Sequence, residues 1–351
     1  MPPAIQAAVR EDLMKKTLFR MLPLAALAAM SLYLLPAQSS ANPSTAPVAA
    51  TSASLTPILD TMAANYYLSN LRAALGSFTW EYSNLPTPFA RWLEEQLQAA
   101  VTMNSRLQLV NRNAGAAMDP AFRAEYEAFF RETETGALLH GRYFLEADNV
   151  RVRLELTDLG SGTQIAARDW LWPQAQVPGY ASVAPAPAAR ERAQELARLG
   201  INSGGLTVSL STSRGSGAAY RVGEQLEVLL TVSRDAYVRL YHIDSAGQIQ
   251  LIWPNRFHGG NGLVRAGQTI RLPDASRQFS FNLVPPYGTE FLKAVASSLP
   301  FVDAVGDFAD LGSDSRQVIS RGLQVAGTAA SATASAAPEM AESLASYYIG
   351  P

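Results

Sequence analysis

The spacing of apolar residues divides the chain into two parts. Over residues 55–173, segments with helical spacing are interleaved with segments of period-two spacing. Phe89, Leu93 and Leu97 fall on one face of a predicted helix, and residues 150–156 alternate as in a half-buried strand. Helices interleaved with strands are typical of an α/β layer fold.

Local signals place several elements within this first part. Residues 56–75 keep helical spacing and are predicted as one helix, followed by a strand at 76–82. Asp119 followed by Pro120 has the pattern of an N-cap and a first helical residue, which predicts a further helix start. Three strand-like runs then predict consecutive β-strands joined by short turns.

From residue 206 onwards, period-two spacing dominates and turn signals recur at short intervals. The predicted strands are 206–213, 225–233, 236–244, 248–254, 268–273 and 278–286. Several short strands at this spacing predict an antiparallel β-sandwich. The predicted fold class is therefore α+β with two domains, an N-terminal α/β layer domain followed by an antiparallel β-sandwich.

Composition shifts set the predicted domain boundaries. Segments rich in small residues and proline are expected to be leaders or linkers. The predicted organisation is a signal peptide (1–41), a disordered leader (42–54), the α/β domain (55–173), a Pro/Ala linker (174–189), the sandwich (190–313), and a C-terminal helix with a low-complexity tail (314–351). Within this tail, the last eight residues are also compatible with a final strand.

The N-terminus has the features of an export signal. Lys15, Lys16 and Arg20 precede an apolar run at 21–36, and small residues at 39–41 suit cleavage. A retained membrane anchor is the alternative, but the apolar run is short for a membrane span. The sequence therefore predicts an exported protein.

Overall composition narrows the function classes. The chain is 48% hydrophobic and 17% charged with a formal net charge of −2, which is globular and gives no basic footprint for nucleic acid. It contains no cysteine, which excludes disulfides, thiolate metal sites and lipid attachment at a cysteine.

Candidate catalytic chemistry is sparse. The three histidines are His140, His242 and His258, and no G-x-S-x-G elbow, H-E-x-x-H or phosphate loop accompanies them. His140 and His242 lie in predicted strands and are interpreted as structural. His258 lies in a glycine-rich loop and is the candidate base of a less favoured hydrolase hypothesis. No cofactor or metal site is predicted.

Four segments of the first part carry a family resemblance: PFARWLEEQLQAAV, RLQLVNR, GALLHGRYF and VRVRLELTDLGSGTQIA. They resemble the periplasmic α/β domain of the curli-secretion component CsgG, the flagellar outer-membrane protein FlgO and activator lipoproteins of penicillin-binding proteins. The motif positions are Gly141, Arg142, Asp158 and Gly162. The resemblance implies a periplasmic domain that works with other envelope components, although this chain lacks the acylated cysteine common in the group.

The second part carries a more specific resemblance, over roughly residues 206–301. The segments YRVGEQLEVLLTVSRDAYVRLYHIDSAGQIQLIWPNR and FNLVPPYGTEFLKAVASSLP resemble the bacterial domain of unknown function 4384. The motif positions are Tyr220, Gly223, Glu224, Asp235, Ala236, Tyr237, Pro254, Asn255, Pro286, Gly288 and Glu290. The resemblance implies no catalytic residues, and these positions are interpreted as structural.

Aromatic residues raise a separate question. Trp170 and Trp172 alternate at the end of a predicted strand. They either complete the core of the first domain or form a docking patch for a partner, and Tyr347 and Tyr348 allow the same two interpretations. 

Together these patterns predict a non-enzymatic, exported cell-envelope protein that binds or assembles with another envelope component. Its expected location is the periplasm or the periplasmic face of the outer membrane, where peripheral membrane association is one alternative. The alternative is a periplasmic protein that binds a small ligand or glycan in a cleft.

Overall fold

The computed structural model describes most of the chain. The described residues are 48–49, 55–64, 70–103, 106–110, 115–198, 204–257, 260–274, 279–301 and 338–351. The predicted signal peptide, most of the predicted leader, His258 and the helix predicted after residue 314 lie outside these ranges.

The first part of the chain forms one mixed six-stranded sheet. Its strands are β1 (Val48–Ala49), β2 (Leu71–Trp80), β3 (Leu107–Leu109), β4 (Ala137–Glu146), β5 (Asn149–Asp158) and β6 (Gln164–Pro173). They are arranged in the order β1-β6-β5-β4-β2-β3. The β4-β5 and β5-β6 pairs are antiparallel hairpins, and the remaining pairs are parallel.

Helices cover both faces of this sheet, which is why its strands are rich in apolar residues. On one face, α1 (Leu55–Ala64) and α2 (Pro88–Thr102) bury their apolar stripes in the main core of this part. On the other face, α3 (Arg123–Thr133) packs Tyr126 and Phe130 into a smaller cluster.

The helix predicted over residues 56–75 is shorter than expected. It ends at Ala64, and β2 begins at Leu71. The stretch Leu71–Leu75 is buried on both faces of the sheet, so its nearly continuous apolar run satisfies a helical template while folding as a strand. The predicted start at Asp119 is confirmed, because its side chain accepts the Ala121 N–H at 2.9 Å.

The second part is β-rich. Its strands are β7 (Val208–Thr212), β8 (Ala218–Arg221), β9 (Gln225–Leu226), β10 (Val228–Val232), β11 (Ala236–Ile243), β12 (Ile249–Trp253), β13 (Leu263–Val264), β14 (Ile270–Leu272), β15 (Phe281–Asn282), β16 (Gly288–Ser297) and β17 (Met340–Gly350).

Two sheets of this part pack face to face as a sandwich. The larger sheet has the order β12-β11-β16-β17-β8, with β13 paired to β11, and the smaller has the order β14-β10-β7. Both contribute to one apolar cluster. A two-stranded ribbon, β9-β15, completes the part. All pairs are antiparallel except β17-β8, which is parallel.

The last strand lies within the range that the sequence assigned to a tail. β17 is an interior strand, paired with β16 over ten residues and with β8 over four. The final segment of the sequence is thus part of the sandwich core, with Ala345, Tyr347 and Ile349 buried.

The segment assigned as a linker also differs from expectation. Ala181 and Val183 are buried against the first sheet's core, and the Phe89 N–H donates to the Ser182 carbonyl at 3.2 Å. Helix α4 (Pro187–Arg198) begins inside the predicted linker and covers the outer face of the larger sandwich sheet with Leu196.

The two parts are joined by buried contacts, and residues 47–351 form one compact unit. Tyr126 Oη donates to the Ser213 carbonyl at 2.8 Å, and Leu229 of β10 packs into the α3 cluster. Gly115 lies so close to the second part that a Cβ there would be 1.7 Å from the Arg214 carbonyl oxygen.

Within the described residues, no helix combines the length and the apolar character needed to cross a bilayer.

Candidate functional site

A cleft of about 410 Å³ opens on the inner face of the larger sandwich sheet. Its floor is formed by alternate residues of β11, β12, β16 and β17, and its opposite wall by the β9-β15 ribbon and the segment that follows β15. Polar side chains line this cleft, although the facing sheets of a sandwich are usually filled by apolar side chains.

Strand register places three polar side chains together on this floor. Glu290 of β16 pairs directly with Tyr347 of β17. His242 of β11 pairs with Leu292, two residues from Glu290 along β16, and therefore lies diagonal to Glu290 on the same face. Period-two alternation in three adjacent strands thus produces the cluster.

Glu290 is the centre of this cluster. His242 Nε2 lies 2.8 Å from Glu290 Oε2, and Tyr347 Oη donates to the same oxygen at 2.7 Å. The imidazole also stacks on the Tyr347 ring, with centroids 6.4 Å apart. Burial, reinforced by the Glu290 charge, raises the pKa of Tyr347 well above its ordinary value, so the phenol remains a donor.

One oxygen of the Glu290 carboxylate is left over. Both hydrogen bonds go to Oε2, and Oε1 accepts none from the described part of the chain. The Glu290 side chain is only 5% exposed. Oε1 is therefore available to accept a hydrogen bond from a ligand group in the cleft.

The remaining cleft surface mixes apolar, aromatic and polar groups. Further contributions to the lining are Leu226, Asp244, Gln250, Ile252, Ser280, Phe281, Asn282, Leu283, Val284, Pro285, Pro286, Leu292 and Ile349. Val284 at the rim is 61% exposed, and the neighbouring Tyr287 is 51% exposed. An apolar concavity with a few converging polar groups is the usual form of a ligand site.

Three motif positions of the first part lie in a turn or at a close contact between strands. A Cβ added at Gly141 would lie 2.2 Å from the Arg153 carbonyl oxygen. Glycine at this position therefore allows β4 and β5 to approach closely. Asp158 accepts the Ser161 N–H at 2.7 Å, and Gly162 has φ +72°, which together form the β5-β6 turn. Arg142 is exposed and lies over the Tyr82 ring at 5.6 Å.

Several motif positions of the second part stabilise turns. Glu224 receives two hydrogen bonds from Arg214, at 3.0 and 3.1 Å, and one from the Arg221 N–H. Burial opposes ionisation of Glu224, but these hydrogen bonds outweigh it and lower its pKa. Gly223 has φ +85° in the same turn, where its N–H donates to the Leu283 carbonyl.

Two other motifs close loops beside β11. Asp235 accepts hydrogen bonds from the Ala266 N–H, at 2.9 Å, and from the Arg265 side chain. Both lower the pKa of Asp235, and the Ala266 bond has the larger effect. Asn255 donates to the Ile252 carbonyl at 2.8 Å and follows Pro254 at the end of β12. Ala236 is a buried residue of β11, and Tyr237 is half-buried there.

Only the last motif reaches the cleft. Pro286 and Glu290 line it, and Gly288 between them has φ +145° and would bring a Cβ to 2.8 Å from the Ser245 side chain. Tyr220, from an earlier motif, is buried with its ring against Tyr347 at 5.9 Å. The structural interpretation of Glu290 made from sequence stays a prediction, and the structure adds that this side chain lies on the cleft floor.

The docking hypothesis for Trp170 and Trp172 is corrected by the structure. The two indoles are 0% and 2% exposed and belong to the core of the first part. Trp172 packs edge-on against Trp92, with centroids 4.6 Å apart. Both side chains therefore complete the core and present no surface to a partner.

The other two histidines do not contribute to the described cleft. His140 is bonded to Thr157 at 3.0 Å in the first sheet, far in sequence from the cleft. The described residues contain no cluster of three or more side chains able to hold a metal ion. His258 lies outside the described residues, and the hydrolase hypothesis that depends on it stays a prediction.

Sequence reasoning missed the convergence of His242, Glu290 and Tyr347. The signal that could have found it was period two: His242 and Glu290 each share a strand face with residues that are otherwise apolar and belong to the sandwich core. Tyr347 was placed in a tail of uncertain structure, so its pairing with Glu290 was not anticipated.

Comparisons with known proteins give limited matches. No curated protein matches the sequence. The chain is similar to the LpoB C-terminal domain from Salmonella enterica (13% identity, TM-score 0.25, 33% of this chain and 93% of that chain). It is also similar to TolB from Acinetobacter baumannii (9% identity, TM-score 0.22, 70% of this chain and 72% of that chain). These TM-scores support no functional conclusion.

The predicted relation of the first part to CsgG and FlgO is not confirmed by these matches and stays a prediction. The prediction for the second part is confirmed over most of its range. Residues 219–300 match the family described as Domain of unknown function (DUF4384).

Proposed function

We propose that this chain is an exported, non-enzymatic cell-envelope accessory protein, and that its sandwich cleft binds a group of another envelope component. The observation that carries the proposal is the Glu290 cluster on the floor of an open cleft. Three polar side chains on an inner sheet face, in a cavity of ligand size, favour recognition of a polar partner group.

Export is supported by the charged and apolar segments that begin the sequence. A rigid binding role is supported by the way the two parts join. Buried contacts across the junction, together with α4 on the outer sheet face, hold the cleft on a scaffold of packed sheets. A site on rigid elements binds with a smaller loss of conformational entropy.

Site-specific photo-crosslinking in living cells tests this proposal. A photoreactive residue at Val284 stands at the cleft rim, and one at Met103, which is 80% exposed on the first part, serves as the control. We expect a discrete protein adduct of the exported protein from Val284 and none from Met103. Equal labelling from both positions, or none from Val284 in exported protein, would contradict the proposal.

The second candidate is a protein that binds a small ligand or glycan. It is favoured by the aromatic side chains at the cleft, since Phe281 lines it and Tyr287 is exposed next to it. A free ligand in the same cleft would stabilise the purified protein against heat without producing a protein adduct at Val284.

A further inference from the structure

We infer that the cleft recognises a primary ammonium group carried on an aliphatic stem, such as a lysine side chain. This inference rests on the proposed function, because it names the chemistry that the same cleft accepts. It goes beyond that function by predicting the charge and shape of the bound group.

The charged residues that line the cleft favour a cation as the bound group. Glu290 and Asp244 contribute carboxylates, and His242 is the one basic side chain among the described lining residues. No arginine or lysine is among them. A cleft lined by carboxylates, with partly buried walls, concentrates a cation rather than an anion.

The geometry of Glu290 carries the second step. Its Oε2 is already used by His242 and Tyr347, whereas Oε1 accepts no hydrogen bond within the described chain. An ammonium donor would satisfy this oxygen with a charge-assisted hydrogen bond, which is among the stronger polar contacts in proteins. A bound carboxylate or phosphate would instead face a like charge.

The apolar surface carries the third step. Ile252, Leu292 and Leu283 are buried where they line the cleft, and Phe281 contributes an aromatic ring. These groups offer contact to an aliphatic stem that holds a charged head against Glu290, as long basic side chains commonly do. A metal ion fits less well, since the described residues form no cluster of three or more metal-ligating side chains.

The test compares two probes on the purified protein by titration calorimetry. Nα-acetyl-lysine amide carries the ammonium, and Nα-acetyl-norleucine amide has the same stem without it. We expect measurable binding of the lysine probe and at least tenfold weaker binding of the norleucine probe. Equal binding of the two probes would overturn the inference, and this comparison needs no variant.

Two variants locate the interaction. Glu290→Gln keeps the shape of the side chain and should weaken lysine binding at least tenfold, because the charge that attracts the ammonium is lost. Glu132→Gln is the matched control, because it removes an exposed carboxylate of α3 that does not line the cleft, and it should retain binding within a few fold. Unchanged affinity in folded Glu290→Gln protein would overturn the inference.

The outcome also separates this inference from the proposed function. If the lysine probe fails to bind at millimolar concentration while Val284 still forms an adduct, the ammonium inference is wrong and the binding function stands. If neither is seen, both are wrong. If the bound ammonium belongs to a lysine of a partner protein, we expect a protein adduct from Val284. If it belongs to a small free amine, we expect the lysine probe to bind but no protein adduct from Val284.

Discussion

At the scale of single residues, Lys293 shows how charge is used inside this fold. It is the only lysine after the predicted signal peptide and is 2% exposed. Its Nζ lies 2.7 Å from Glu342 Oε2 and donates to the Leu196 carbonyl at 2.8 Å. The ion pair therefore connects β16 and β17 to the end of α4.

We expect Lys293→Met to lower the free energy of unfolding by about 3–5 kcal/mol, because the buried Glu342 carboxylate loses its ion pair with Lys293. Adding Glu342→Leu should recover most of that loss, since an apolar pair can replace a buried ion pair. Urea unfolding at pH 7 measures both. A loss below about 1 kcal/mol in the single variant would contradict this account of a buried ion pair.

His140 links stability to pH at the same scale. Burial lowers its pKa below the ordinary value of 6.5, Glu155 partly opposes this, and Arg142 adds to it. As the pH falls, the His140 side chain is protonated at a higher pH in the unfolded chain than in the folded protein. Its protonation therefore lowers the free energy of unfolding from about pH 6.5 downwards.

We expect His140→Gln to reduce this loss, because glutamine keeps a polar contact to Thr157 and does not titrate. Urea unfolding of both proteins between pH 7.5 and 5 measures the difference in slope. Parallel pH profiles for the two proteins would exclude a contribution from His140.

At the scale of elements, the sequence predicted whether a segment is a helix or a strand better than it predicted where that element begins and ends. Strands β7, β10, β11 and β12 were recognised because short apolar runs are bounded there by turn signals, although β10 is buried at every position. β2 was partly assigned to a helix, and β16 was not assigned at all, because both are buried on two faces and lose their period. The cleft could not be predicted because its floor forms only when strands distant in sequence pair with one another. The residue pattern within one strand does not show which strand pairs with it.

Gly141 tests the packing of one such pair. We expect Gly141→Ala to destabilise the protein by about 1–3 kcal/mol, because the new Cβ would meet the Arg153 carbonyl oxygen of β5. Gly179→Ala is the matched control, since a Cβ there meets nothing within 4 Å. Equal thermal stability of the two variants would contradict the close approach of β4 and β5.

At the scale of the whole molecule, the two parts are expected to unfold together. The Leu229 contact and the close approach at Gly115 bury the junction, and residues 47–351 form one compact unit. Calorimetry of the purified protein should show one transition with equal calorimetric and van't Hoff enthalpies. Two separate transitions would show that the junction is weaker than its buried contacts indicate.

The central claim is that the cleft, and Glu290 within it, binds another envelope component. The most direct measurement is photo-crosslinking from Val284 in cells that express either the native chain or the folded Glu290→Gln variant. The account predicts a discrete adduct with the native chain and a strongly reduced one with the variant. An adduct of equal yield in both would show that the partner contacts the rim without using the carboxylate at the floor of the cleft.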